Sequence, residues 1–210
     1  MRTLLTPMKN ENIFSKTLEM AIFIGVMTIL IVLNVQKSND TTLLSIGDFL
    51  GNSGNDLFLI ISNLILIGWA WRKKLKSIIM LTLFLDFLVW IFVQGIKLLK
   101  IAPWYLRPNG GTGGFPSGHA THAFGMAFLL SLFFPRFSWL WYFCAVAISW
   151  SRVETNWHTG FQVAAGVILG VGLAWVLVAK WLTHPDAAII KPKTIKQEQN
   201  VEVRQSYVAD

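Results

Sequence analysis

Cysteine occurs once in the 210-residue chain, as Cys144. That excludes an internal disulfide and any thiolate metal cluster, and its apolar surroundings point to inert packing. Charge is also scarce. Only 14% of residues are Asp, Glu, Lys or Arg, against about a quarter in soluble domains. No internal repeat is visible. No convincing small-residue cleavage site follows the first apolar run, so a removable signal peptide is not expected. Apolar residues, by contrast, make up 54% of the chain. Several uninterrupted runs approach or reach the roughly 17–25 residues that cross a bilayer. The expected class is all-α: an integral membrane bundle of six transmembrane helices.

The expected spans are about Leu18–Val35, Leu57–Trp71, Ser77–Ile96, His119–Phe134, Phe137–Trp150 and Phe161–Leu182. They make one membrane domain over 18–182, between an N-terminal segment 1–17 and a polar tail 183–210 expected to be disordered. A polar loop with Asp40, Asp48 and Asp56 lies between the first two spans. The net charge of +7 does not indicate a nucleic-acid partner, because the cations fall between spans. The side holding both termini carries thirteen Lys and Arg and the other side five. By the positive-inside rule both termini are cytoplasmic, in the plasma membrane, and the loop before His119 faces outward. Trp69, Trp71, Trp104, Trp150, Trp157 and Trp181 fall near span ends and read as interfacial anchors. Gly166 and Gly170 suit close helix packing. Asp86 and Gln94 should face the bundle interior. Asp86 is equally open to a functional and a structural reading and is left outside the candidate site.

Three clusters fall on the outer side. The first is Lys100-Ile-Ala-Pro-Trp-Tyr-Leu-Arg107-Pro108. The second is Phe115-Pro116-Ser117-Gly118-His119, entered from a Gly-rich loop. It suits a tight turn into a helix whose free N–H groups and dipole attract an anion. The third runs from Ser151-Arg152 through His158 to Gln162. Together they bring three cations, hydroxyl and backbone donors, and two histidines. A phosphate dianion needs that compensation, and charge-assisted bonds to Arg and Lys supply it. Only Glu154 offers a carboxylate in these loops, so the expected chemistry is phosphoryl transfer with no metal and no cofactor. One histidine can attack phosphorus while the other handles the leaving group's proton.

Written as K-x6-RP, PSGH and SR-x5-H, the clusters resemble the type 2 phosphatidic acid phosphatase superfamily. The motifs span 100–162, and the six-span layout extends the likeness over about 18–182. The resemblance implies phosphate binding by Lys100, Arg107, Ser117, Gly118 and Arg152. It implies His158 as the nucleophile that forms a phosphohistidine, and His119 as general acid and then base. One position departs: where the family has an Asp four residues after the nucleophile, this chain has Gln162. At i+4 on a helix its side-chain carbonyl is expected to accept Nδ1–H of His158, without the negative charge that steadies an imidazolium.

The form His158-Thr159-Gly160-Phe161-Gln162-Val163 looks like the dolichyl diphosphatase branch and related chloroplast lipid phosphatases. This makes polyprenyl diphosphate the first expected substrate, a lipid phosphate in the membrane. Phosphatidic acid, phosphatidylglycerophosphate and lipid A phosphates follow, with a phosphotransferase reaction open on the same residues. The rival from another class is a non-catalytic lipid-binding membrane protein with a decayed site, for which only Gln162 argues.

Overall fold

The structure, a computed structural model, describes residues 12–190. Its helices are α1 Asn12–Asn34, α2 Thr41–Phe49, α3 Asn55–Arg72, α4 Lys76–Leu98, α5 Gly118–Phe133, α6 Ser138–Glu154 and α7 Gly160–Trp181. A π-helical turn, Leu50–Gly54, joins α2 to α3, and 3-10 turns form at Pro135–Phe137 and Pro185–Ile189. No strand occurs among the described residues. The class is that of an all-α membrane bundle, as expected. All six expected spans appear as helices.

Four stretches are long and apolar enough to cross a bilayer: Ile13–Asn34, Thr41–Arg72, Lys76–Leu98 and Gly160–Trp181. The expected fourth and fifth spans are α5 and α6, with 16 and 17 residues. At 1.5 Å per residue each is about 24–26 Å long, short of the hydrocarbon core. For α5 the shortfall matters little, because lipid does not reach it. Every residue from Ala120 to Leu132 is buried, enclosed by α1, α3, α4, α6 and α7. Large apolar side chains such as Phe23, Leu30, Leu64 and Phe87 are exposed on the outer helices. Lipid, rather than protein, is the natural solvent for that surface.

Local chemistry sets the helix ends. Asp40 caps α2, its carboxylate accepting from the backbone N–H groups of Thr42 and Leu43 at 2.7 and 3.3 Å. The polar loop expected between the first two spans is therefore largely helical, through α2 and the π turn. Thr159 and Gln162 form a reciprocal capping box at the start of α7. Pro135, just past α5, ends that helix.

The two glycines singled out in the last span do bring helices together. A Cβ on Gly166 would sit 2.5 Å from the carbonyl oxygen of Ser117, and one on Gly170 would collide with that of Thr121. So α7 rides on the backbone of α5 itself. At the opposite end of the bundle, Ser77 receives the Trp181 indole N–H at 2.9 Å and donates to Asp186 at 2.6 Å. The first residues past the last span are docked there, with Ala187 buried. The remainder of the expected tail, 191–210, and residues 1–11 lie outside the described residues.

Candidate active site

The C-terminal ends of α4 and α6, the N-terminal ends of α5 and α7, and the π turn meet at one end of the bundle. Between α4 and α5 the chain runs as an irregular loop held by its own backbone. Arg107 N–H donates to the Gly111 carbonyl and Gly114 N–H to that of Tyr105, each at 2.8 Å. Gly110 and Gly113 take φ of 86° and 69°, which a side chain would resist. The rings of Trp104, Phe115 and Phe161 cluster beneath, with centroids 5.1–6.1 Å apart. The loop thus folds back onto the start of α7, and the Ser117 N–H closes it on the Gln162 backbone carbonyl at 2.9 Å.

Ser117 then starts α5 from an extended backbone, with no side-chain cap bond. Its Oγ is buried and has no partner. It lies beside the first-turn N–H groups of a helix, which have no acceptors within the helix. A buried hydroxyl and a helix N-terminus pointing at one place make an anion seat.

His158 lies just before α7, 2% exposed. Its Nδ1 is 2.7 Å from the carbonyl oxygen of Gly114. A carbonyl can only accept, so Nδ1 carries the proton and Nε2 keeps its lone pair. Burial, then the charges of Arg152 and Arg107, push the imidazole pKa down to about 3. The ring is therefore neutral across the physiological range, with Nε2 unprotonated.

Two guanidiniums face it. Arg107 and Arg152 lie over the same Trp157 ring, at 5.1 and 5.3 Å from its centroid. Arg152 also donates from Nη1 to the Gly51 carbonyl at 2.7 Å. The Nε atom of each arginine is buried without a partner, and among the described residues neither has a carboxylate in ion-pair range. A buried Arg152 and a half-buried Arg107, each with an unspent Nε donor, suit an anion from outside the chain. His119 opens onto a cavity of about 490 Å³ that it shares with Gly118, Asn55, Gln94, Lys97 and an Asp86–His122 pair joined at 2.7 Å. Asp86 faces the bundle interior, as expected.

Two expectations about individual residues change. Gln162 does not orient His158. His158 precedes the helix, so the i+4 geometry expected of the two does not apply. The Gln162 side chain instead accepts from Thr159 N–H at 2.9 Å and donates to the carbonyls of Trp104 and Leu106 at 2.7 and 2.8 Å. The backbone oxygen of Gly114 has the orienting position. Nor is Lys100 brought to the others. It is exposed, with φ of 47° just past the end of α4. One turn earlier, Lys97 lines the cavity beside His119 and its charge acts on His158. Arg107, Ser117, Gly118, His119, Arg152 and His158 do gather as expected. Sequence reasoning missed Lys97, Gly114, Gly51 and the role of Trp157. Of these only Trp157 left a signal, as an aromatic set within SR-x5-H between an arginine and a histidine.

Residues 99–185 match the family model of the PAP2 superfamily, a stretch that contains all three motifs. The resemblance read from the motifs is shown over that stretch. Over 57 residues the chain is also 42% identical to the bacitracin transport permease protein BcrC of Bacillus licheniformis, an alignment covering 27% of this chain. The chain spans 28% of that relative's length.

Proposed function

We propose that this protein is an integral membrane lipid phosphatase working through a phosphohistidine at His158, with no metal in the chemical step. The observation that carries the reading is the Nδ1–Gly114 contact, which leaves Nε2 with its lone pair on a ring held neutral by the nearby charges of two arginines with unspent donors. Arg107, Arg152, Ser117 Oγ and the α5 N-terminus hold the phosphate oxygens, and Lys97 adds charge from the cavity side. His158 Nε2 forms a bond to phosphorus as the bond from phosphorus to the leaving oxygen breaks. His119 gives that oxygen a proton where it needs one. A water then attacks the phosphohistidine, passing its proton to His119, and inorganic phosphate leaves as His158 regains its lone pair. Polyprenyl diphosphate is the first substrate proposed, from the His158–Val163 form of the third motif. The cavity beside His119, walled by Leu59, Val89, Trp90 and Val93 as well as polar groups, gives an apolar chain somewhere to lie. The case for a decayed site rested on Gln162, and that residue is occupied with the loop rather than with the nucleophile.

The test is purified protein in EDTA with farnesyl diphosphate, undecaprenyl diphosphate, phosphatidic acid and phosphatidylglycerophosphate. Phosphate release is expected, fastest from the diphosphates, with an acid-labile, base-stable phosphoenzyme that is lost in His158→Gln. Absence of release from every lipid would overturn the reading, and faster release from phosphatidic acid would overturn the substrate assignment.

A further inference from the structure

Arg152 is gripped from a part of the chain that lies outside both the motifs and the stretch matched by the family model. Its Nη1 donates to the carbonyl oxygen of Gly51 across 101 residues, in a buried bond. Gly51 stands in the π-helical turn between α2 and α3. In an unbroken α-helix its carbonyl would accept the N–H of Asn55. Here that N–H bonds to Asn52 instead, so the ladder is interrupted where the arginine arrives. Such single π turns recur at functional sites. A side chain there would also push the guanidinium away: a Cβ would sit 2.7 Å from Nη1 of Arg152 and 3.0 Å from Oγ of Ser151. One turn earlier, a Cβ on Gly47 would lie 3.2 Å from Thr155 and 3.3 Å from Glu154, so α2 lies flat on the last turn of α6. Glu154 fixes the segment's start by accepting from Ser38 N–H at 3.0 Å.

We propose that Gly51 is a positioning residue for Arg152, and that the π turn serves to present its carbonyl. The inference rests on the reading of Arg152 as a phosphate ligand. A carbonyl suits the task because it fixes one edge of the guanidinium without neutralising it. A carboxylate there would compete with the substrate for the charge. With Gly51 on the edge and Trp157 on the face, the guanidinium keeps other donors, among them a buried and unpartnered Nε, to meet phosphate oxygens.

The test uses full-length protein in lipid nanodiscs, orthovanadate as the phosphate probe, and farnesyl diphosphate as the reporter of turnover. Gly51→Ala is expected to weaken vanadate inhibition about 10- to 100-fold. Gly47→Ala, which disturbs the same packing without touching Arg152, should lower thermal stability and leave vanadate inhibition within about twofold. In an Arg152→Lys background, Gly51→Ala should add almost nothing. Independent, additive losses would overturn the proposal. Should Gly51→Ala not fold, hydrogen exchange decides: amides of 47–58 should slow on vanadate binding in the wild type and not in Arg152→Lys. Equal response in both would sink the idea. No vanadate binding by the wild type would remove the phosphate reading as well, whereas binding indifferent to Gly51 removes this inference alone.

Discussion

The Gln162 amide occupies the space where a side chain on Gly114 would have to go, its Cδ 2.9 Å from that Cβ position. The residue that anchors the loop and the carbonyl that holds His158 are therefore one packed unit. Gln162 reaches His158 through the loop, not by touching it.

The family's own residue at this position should therefore not improve the enzyme. Gln162→Asp leaves the Trp104 and Leu106 carbonyls without their donor and sets a carboxylate against them. Each unsatisfied buried group costs about 1–3 kcal/mol. The melting temperature should fall, and turnover should drop roughly 10- to 100-fold, as for other lost outer supports. Gln162→Ala should behave similarly. Higher turnover in Gln162→Asp, measured with farnesyl diphosphate, would show that the carboxylate reaches His158 after all.

Acid should act on stability through His158. Its native pKa of about 3 lies below the unfolded value of about 6.5. Between these values the unfolded chain binds the extra proton, so stability is full above about pH 6.5 and is lost as pH falls towards 3. His158→Gln removes that dependence. Melting curves at pH 4.5 and 7.5 should show a smaller acid penalty in the variant than in the wild type. The acid limb of kcat/KM should likewise show no step near 6.5 from the nucleophile.

Trp157 should matter for anion affinity. A cation over an aromatic face contributes about 0.5–2 kcal/mol, and here two cations share one ring. Trp157→Leu should raise the inhibition constants of phosphate and vanadate roughly 3- to 30-fold, with Trp157→Phe falling between. An inhibition constant unchanged in the leucine variant would return the residue to simple interfacial anchoring.

The two lysines are separable. Lys97→Gln should lower kcat/KM by about tenfold or more, a modest share of what a charged partner contributes in a low-dielectric site. Lys100→Gln should stay within about twofold. The reverse order, in parallel assays, would restore Lys100 to the site and require the end of α4 to rearrange.

Orientation rests on the Lys and Arg asymmetry. In a Cys144→Ser background, a cysteine at Asn109 should react with a membrane-impermeant maleimide added to intact cells, and one at Lys76 should not. The opposite pattern would place the chemistry at the cytoplasmic face.

Apolar runs marked six of the seven helices to within about six residues at their ends, because a span must satisfy its backbone internally wherever it lies in lipid; the short α2, in the polar loop, was not among them. The three motifs likewise marked most of the residues that gather at that end of the bundle, since the cations, donors and histidines proposed to serve a phosphate sit within them. Partners that act through backbone atoms were beyond the sequence. The carbonyls of Gly114 and Gly51 have no side-chain signature, and they reach His158 and Arg152 across 44 and 101 residues. Spacing did not foresee where Gln162 and Lys100 lie for a related reason. Periodicity assumes a continuous helix, yet α7 begins at Gly160, after His158, and α4 ends at Leu98, before Lys100, so helix phase relates neither Gln162 to His158 nor Lys100 to the rest of α4. Only the packed loop, the π turn and the two helix ends decided which groups meet His158 and Arg152.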